Sequence, residues 1–307
     1  MSVKLKRLIP SGLPARNEIV PSSWRDISAA LRPVLLAVPI TAMLAGGEVA
    51  QAQGKLEANY AATLAGFPIG KGRWTIEIAE ARFTATATGA TAGMLRVFAS
   101  GDGNSASRGA MVAGVPLAAS FTASVTADKR TEEFRMSLDG GDVKDYSVLP
   151  EPEPNPERIP LTDAHRRGVA DPMTASLIRV PGNANLMGPE ACQRTLAVFD
   201  GRMRYDLQLK YKRVDEISAE KGYSGPSVVC AINFVPLAGY NPHRSAIKYL
   251  ISSRDIEMWL APIAGTRIVV PFRVSVPTPI GIGIMQATEF VSVSQPTRAT
   301  ATSAKAE

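Results

Sequence analysis

The sequence has few of the residues that most chemical sites require. Its 307 residues include only two histidines and two cysteines, and aromatic residues make up 6%. This scarcity excludes zinc-finger arrays, haem attachment through a C-x-x-C-H motif and most multi-histidine metal sites. With 45% apolar and 20% charged residues, the chain is neither a disordered polyelectrolyte nor a polytopic membrane protein. We expect no metal, no cofactor and no catalytic residues.

The one long apolar run lies near the N-terminus, from Val34 to Ala45. It follows basic residues and precedes Ala50-Gln51-Ala52, which is the pattern of a secretory signal. The run is shorter than the roughly 20 residues of a membrane-spanning helix. We therefore expect residues 1–52 to be a signal peptide, with no permanent membrane anchor, and the mature protein to be periplasmic in a Gram-negative bacterium. The long basic region leaves two alternatives open, an extended signal or a start codon assigned too early.

The net charge of +6 is partly a property of this segment. Six of the 34 Lys and Arg and three of the 28 Asp and Glu lie within the first 52 residues. Half of the excess positive charge therefore belongs to the expected signal. The remaining cations are spread along the chain rather than gathered into runs, which argues against a nucleic-acid partner.

Alternation of apolar and polar residues with period two dominates the chain after residue 52. It is clearest from Met203 to Tyr211, where a helix would have no coherent apolar face. Similar runs recur along the chain with turn residues between them, and we count about eleven or twelve strands. A long antiparallel sheet normally curls to protect its edges. The sequence thus predicts a mainly β fold: a large curled antiparallel sheet (half-barrel, barrel or β-spiral) with one or two short helices.

Proline and glycine mark the interruptions of this pattern. We expect one β-rich domain over residues 53–293, with a proline-rich linker at residues 150–160 and a disordered tail at residues 294–307. Asp171 as N-cap and Pro172 at the first position predict a short helix that reaches Ile178, and a second helix is expected over Pro242–Leu250. Asp200-Gly201 predicts a hairpin turn. Pro271, inside a strand pattern, predicts an edge or a bulge.

The expected export predicts a disulfide between the two cysteines. In an oxidising compartment, two lone thiols in one domain usually pair, and Cys192 and Cys230 close a loop whose cross-link is worth about 4 kcal/mol. The alternative is two buried free cysteines that act as small apolar residues.

Several polar residues are candidates for a site, and each has a structural alternative. His165, Arg166 and Arg167 follow the linker and could contact an anionic ligand at the mouth of a barrel, or simply form an exposed loop. Ser245 and Lys248 match S-x-x-K, the spacing of a lysine-activated serine, but the S-D-N and K-T-G partner motifs are absent from the sequence. Two further carboxylates, Asp255 and Glu257, share one face of an expected strand, which more often is a solvated face. Speculative apolar ligand contacts are Tyr205, Leu207 and Leu209, on one face of the clearest strand.

Five short motifs in the chain are mainly structural in character. They are Tyr60-(x)5-Gly66-(x)3-Gly70, Val169–Ala175, Cys192 with Phe199–Arg202, Cys230-(x)5-Pro236–Tyr240 and Glu257–Pro262. Together they resemble an uncharacterised proteobacterial family of exported proteins, domain of unknown function 3108. The resemblance implies a periplasmic, β-rich domain of curled-sheet type, and it brings no known catalytic residues. More remotely, such a sheet looks like periplasmic lipoprotein carriers and envelope-integrity proteins, which is an analogy of fold alone.

These observations favour a non-enzymatic module whose concave apolar face binds a lipid-like or amphipathic component of the cell envelope. The same apolar positions could instead fill a dry core. The alternative function is a structural or interaction protein that supports envelope integrity without a small-molecule ligand, through strand edges or the proline-rich linker. A third hypothesis is a hydrolase that uses a serine–lysine pair. Expected partners are an envelope lipid or another envelope protein.

Overall fold

The alternating segments form strands of one sheet. The computed structural model describes residues 53–92 and 101–295; the expected signal peptide and residues 296–307 of the expected tail lie outside these ranges. Fifteen strands occur in the described residues, more than the sequence predicts. They are β1 (Gly54–Leu64), β2 (Phe67–Ile78), β3 (Arg82–Thr91), β4 (Gly101–Val112), β5 (Val115–Ala127), β6 (Arg130–Asp139), β7 (Asp142–Leu149), β8 (Ile178–Arg179), β9 (Arg194–Phe199), β10 (Arg204–Ser218), β11 (Lys221–Gly222), β12 (Ser224–Ala238), β13 (Ile256–Pro262), β14 (Ile268–Thr278) and β15 (Gly281–Ser294).

The strands follow the order β7-β6-β5-β4-β3-β2-β1-β15-β14-β13-β12-β10-β9, while β11 pairs with β15 and β8 with β14. The first and last strands of the chain, β1 and β15, pair antiparallel at the centre, so both halves of the chain share one sheet. The expected mainly β fold with a large curled antiparallel sheet is confirmed. Since β15 reaches Ser294, opposite Gly54, the sheet extends one residue into the expected disordered tail.

The sheet curls until its two outer strands face each other without pairing. Within the described part of the chain, β7 and β9 have no ladder between them. The segment before α1 fills the gap: the backbone N–H of Val169 donates to Gly141 at 2.7 Å, and the N–H of Ala170 to Ala197 at 2.9 Å. The ring of Phe199 on β9 meets Tyr146 on β7 edge-on, with centroids 5.4 Å apart. The sheet is therefore a barrel whose hydrogen-bond ladder is open between β7 and β9. Side chains and the segment before α1 fill that opening.

The proline-rich segment runs beside this gap. Its last residues bond to the end of β12, where the N–H of Ile159 donates to Tyr240 at 2.9 Å and that of Gly239 donates to Ile159 at 2.8 Å. The segment is thus a connection fixed to the sheet rather than a free spacer between halves. Gly239 has a positive φ, and a Cβ there would meet the carbonyl oxygen of Arg202 at 1.9 Å, which explains glycine at this close approach.

Two helices are present among the described residues, α1 (Pro172–Ala175) and α2 (Ser245–Ser252). Asp171 caps α1 as expected, but α1 is shorter than predicted, because Ile178 already pairs with Val269 of β14. The second helix begins and ends later than the expected Pro242–Leu250, and none of its residues is buried.

The turn and bulge predictions are confirmed. Asp200 accepts hydrogen bonds from the backbone of Arg202 and Met203, at 2.8 and 2.7 Å, and joins β9 to β10. Pro271 lies on β14, between β13 and β15, so it is not at an edge. Its strand instead carries a register shift, as Trp259 faces Arg273 while Leu260 faces Pro271. The shift accommodates a proline in an interior strand.

The two ends of the curled sheet differ in packing. At the end where β2 and β13 finish, which we call the packed end, large apolar side chains fill the interior. They include Leu56, Ile76, Ile78, Phe83, Ile263, Ile268, Phe272 and Phe290. The opposite end, where β1, β3, β12 and β14 finish, is called the open end.

Candidate functional site

A cavity of about 480 Å³ occupies the concave face of the sheet toward the open end. Its wall comes from strands on both sides of the central β1–β15 pair, together with α1. The larger apolar side chains that line it are Tyr60, Trp74, Met173, Leu207, Ile232, Met258, Val274 and Met285. The sequence left open whether the apolar positions fill a dry core or line a hollow. Both occur, because side chains fill the interior at the packed end and leave a cavity toward the open end.

One wall of the hollow lacks side chains. Gly72 on β2 faces Gly89 on β3, and Gly89 faces Gly103 on β4. Trp74 and Ala87 form the next row toward the packed end, two residues away along each strand, and their side chains point inward. Residues two apart on a strand share a face, so side chains in the glycine row would point inward as well. At Gly89 a Cβ would meet nothing closer than the carbonyl oxygen of Lys71 at 3.7 Å. The space beside Gly89 is therefore unfilled, whereas a Cβ at Gly72 would meet the carbonyl oxygen of Thr88 at 2.9 Å.

Two aromatic residues mark the floor of the hollow. The hydroxyl of Tyr60 donates to the carbonyl oxygen of Pro271 at 2.7 Å, and burial raises the pKa of that phenol. The indole Nε1 of Trp74 is buried and has no hydrogen-bond partner within the described residues. An unpaired buried donor costs about 1–3 kcal/mol. The floor of the hollow is therefore apolar except for the indole N–H of Trp74, which has no acceptor in the part of the chain that the structure describes.

Helix α1 contacts both the hollow and the packed interior through Met173. Its cap, Asp171, is fully buried and accepts from the backbone N–H groups of Met173 and Thr174 at 2.9 and 3.0 Å. The other carboxylate oxygen accepts from the hydroxyl of Ser107 on β4 at 3.0 Å. Burial raises the pKa of Asp171, and these hydrogen bonds partly oppose the increase. The cap thus ties α1 to the inner face of β4.

The predicted disulfide is present between Cys192 and Cys230, with Cα atoms 5.4 Å apart. It fixes the segment after the short turn Pro189–Ala191 to β12, in a core that contains Leu209 and Met258. Both cysteines are fully buried.

Of the six candidate ligand residues, one lines the hollow. Leu207 lines the hollow, whereas Leu209 is buried beside the disulfide and Tyr205 packs against Phe234, with centroids 5.5 Å apart. The cluster His165–Arg167 lies in and just after a short 3-10 turn, outside the lining of the hollow.

Within that cluster, His165 Nδ1 lies 3.1 Å from the backbone nitrogen of Thr162, from which it accepts a hydrogen bond. Arg166 forms an ion pair with Asp163, and its guanidinium stands 5.2 Å from the ring centre of Tyr146. Arg167 is exposed. These contacts give the first two residues structural partners near the gap between β7 and β9.

A charged cluster on the sheet is the feature that sequence reasoning missed. Glu257 pairs with Lys212 and with Arg213, the latter at 3.0 Å, so it is not simply solvated. The hydrogen bond from Arg213 is the main reason that the pKa of Glu257 is lowered. Trp259 lies between the guanidiniums of Arg213 and Arg273, at 5.5 and 4.8 Å. Alternation alone could not show this cluster, since its members come from three strands.

In the sequence, the serine–lysine pair of α2 has no partner residues that would make it a catalytic site by motif. Ser245 and Lys248 are both exposed on α2. In the described ranges, no group of three His, Cys, Asp or Glu side chains could hold a metal ion. Neither α1, α2 nor any other helix that the structure describes has the length and apolarity of a membrane span.

The fold and the hollow define a curled β-sheet protein with an open apolar interior at one end. The family model described as protein of unknown function (DUF3108) matches residues 59–288. The chain therefore belongs to the DUF3108 family, which confirms the resemblance. No curated protein matches the sequence.

Two solved structures are similar in fold. One is a β-barrel-like protein of the domain of unknown function 1849 from Brucella abortus, with 10% identity, a TM-score of 0.40 and coverage of 79% of this chain and 98% of that one. The other is a candidate lipoprotein from Parabacteroides distasonis, with 10% identity, a TM-score of 0.29 and coverage of 78% and 96%. Likenesses at these TM-scores carry no argument about function.

Proposed function

We propose that the protein is a non-enzymatic module that binds a lipid-like or amphipathic molecule in the hollow of its sheet. The observation that carries this proposal is the cavity of about 480 Å³, which is within the size range of small-molecule pockets. Its apolar lining suits an alkyl chain, and its position toward the open end leaves room for a polar head in solvent.

The glycine row supplies the experiment. Gly89→Leu adds an inward side chain without a backbone clash, and Thr86→Leu adds the same side chain to the outward face of the same strand. Binding is followed by the fluorescence of a dansyl-labelled fatty acid added to delipidated protein. We expect Gly89→Leu to weaken binding about tenfold, since two fewer buried methylene groups correspond to that factor. Thr86→Leu should bind like the wild type.

Equal binding by both variants would place the probe outside the hollow and refute the proposal. No binding by the wild type, together with no co-purified lipid in native mass spectrometry, would do the same.

The alternative, a structural or interaction protein of the envelope, has less support. Its proposed contact segment, the proline-rich stretch, is bonded to Tyr240 and Gly239 of the same chain. Crosslinking that recovers an envelope protein from the wild type, but not after deletion of residues 150–156, would favour it.

We also propose that the mature protein resides in the periplasm of a Gram-negative bacterium. The signal-like pattern of residues 1–52 and the disulfide Cys192–Cys230 support this, because disulfides persist in oxidising compartments. Cell fractionation with N-terminal sequencing tests it: we expect a cleaved chain that begins near Gln53, and an uncleaved cytosolic chain would refute it.

A further inference from the structure

Two neighbouring hairpins at the open end expose large apolar side chains. Phe67, the first residue of β2, is 69% exposed. Ile280, in the turn from β14 to β15, is 72% exposed, and Ile282, the second residue of β15, is 52% exposed. Met285 on β15 is also partly exposed and lines the hollow. We call these four residues the tip surface.

The hairpins are held together rather than free to separate. The backbone N–H of Ala65 donates to the carbonyl oxygen of Ile282 at 3.0 Å. A Cβ at Gly281 would meet the Cβ of Ala65 at 2.6 Å, so the two turns are in close contact. The exposed side chains therefore form one fixed group beside the mouth of the hollow.

The third element on this side of the open end is α2, in the connection from β12 to β13. It has no buried residue, and Ile251 is exposed. Arg244, Lys248 and Arg254 are exposed cations in or beside α2. An apolar face with cations beside it is typical of helices that lie on membrane surfaces; α2 has one cation within it, Lys248, and the other two flank it.

The turns of the two hairpins and α2 contain no acidic residue, and the exposed acid nearest to α2 along the chain is Asp255, which follows Arg254 just before β13. Residues 58–76, 242–254 and 258–288 contain no aspartate or glutamate, although the chain has 28 of them. Lys71 and Arg73 follow the first hairpin on the outward face. The combination of exposed apolar tips with cations and no acids matches an anionic phospholipid surface, where apolar groups enter the headgroup region and cations face phosphates.

A bilayer fits the tip surface better than a protein partner does. Four partly exposed side chains present a few hundred square ångströms, less than the roughly 800 Å² that each partner buries in a stable protein interface. Projecting hairpin tips can enter a fluid surface without a complementary pocket.

We propose that the open end docks on an anionic phospholipid bilayer through the tip surface, with α2 and its cations beside it. Glu151 and Glu153 of the proline-rich segment are exposed on the other side of the mouth, so the proposed docking places the β14–β15 side nearest to the bilayer. This inference does not require a ligand in the hollow. Where both hold, docking brings the mouth of the hollow to the bilayer.

The test places a fluorophore at the tip of the full chain. Since both native cysteines form the buried disulfide, an introduced cysteine is the one thiol available for labelling. Ile280→Cys and Val112→Cys are labelled with the environment-sensitive NBD group; Val112 is an exposed position in a hairpin at the packed end. Vesicles of phosphatidylcholine, with and without phosphatidylglycerol, are then added.

With phosphatidylglycerol vesicles, we expect the label at position 280 to brighten about twofold with a blue shift, and the label at 112 to stay unchanged. Lys248→Gln should weaken vesicle binding of the 280-labelled chain about fivefold. Lys144→Gln, an exposed lysine near the packed end, should not change it.

An unchanged label at position 280 overturns the proposal, even if another part of the chain holds the protein on vesicles. An equal response at 112 indicates non-specific adhesion and also overturns it. A response at 280 that follows protein concentration without vesicles assigns the tip surface to a second copy of the chain. Gly89→Leu separates this inference from the proposed ligand, because it narrows the hollow and leaves the tip surface unaltered.

Discussion

Asp171 is a carboxylate that the fold removes from water and supplies with hydrogen-bond donors from Ser107, Met173 and Thr174. Burial disfavours its charged form more than the donors favour it, so its pKa is raised. A raised pKa means that the folded state binds this proton more tightly than the unfolded state does. The stability that Asp171 contributes is therefore present below its unfolded pKa of about 4 and is lost as pH rises through the folded pKa.

Asp171→Asn tests this sign. An asparagine oxygen can keep the cap of α1, while the side chain no longer ionises. We expect the free energy of unfolding of the wild type to fall relative to that of the variant as pH rises from about 4 to 7. Urea unfolding followed by circular dichroism at several pH values measures the difference.

Asp171→Ala serves as the control, because it removes the cap at every pH and should cost about 1 kcal/mol or more throughout. Parallel stability profiles of the wild type and Asp171→Asn would show that the carboxyl has the same pKa in both states.

At the scale of elements, the segment around Cys192 depends on its link to β12. It has little regular structure beyond the turn Pro189–Ala191, and its apolar residues pack on the face that Leu209 and Met258 share. A cross-link over 38 residues lowers the entropy of the unfolded chain by the equivalent of about 4 kcal/mol.

We expect the double variant Cys192→Ala with Cys230→Ala to lose about this amount of stability in urea unfolding. Reductant should shift the wild-type midpoint to that of the double variant and leave the double variant itself unaffected. A wild-type midpoint that is insensitive to reductant would contradict the expected contribution.

Strand β4 shows where alternation predicts an element and where it does not. Strands such as β1 and β10 carry inward apolar residues, and their pattern predicts them from the sequence alone. The inward positions of β4 include Ser105 and Ser107, whose hydroxyls contact Met173 and Asp171 of the α1 region. A polar inward face that is satisfied by a distant helix has no period-two hydrophobic signal, so β4 is not predicted and the strand count is too low.

At the scale of the whole molecule, the curl follows from strand length and number, but the hollow does not. Gly72, Gly89 and Gly103 are unevenly spaced along the sequence and form a row only after the register of β2, β3 and β4 is known. The pairing of β1 with β15 likewise joins residues more than 200 positions apart. Composition and alternation therefore predict the sheet, the disulfide and the hairpin at Asp200, whereas the site depends on long-range register.

Side chains join β7 to β9, where a closed barrel would have a ladder of backbone hydrogen bonds. This difference predicts that the barrel separates first at that gap. Phe199 is fully buried between the outer strands, beside Tyr146. Truncation of such a residue costs about 3–5 kcal/mol of stability. Here the destabilisation should affect mainly β7 and β9, the strands on either side of the gap. We expect Phe199→Ala to speed hydrogen exchange in β7 and β9 more than in the central β1–β15 pair.

Phe290→Ala is the matched control, since Phe290 is equally buried but lies in the packed interior. It should lower global stability by a similar amount without a selective effect on β7. If exchange mapped by mass spectrometry rises evenly in both variants, the barrel opens only by global unfolding. A selective rise in β7 and β9 would instead make the gap the first part of the sheet to separate, because a side-chain contact lacks the cooperative hydrogen bonds of a ladder.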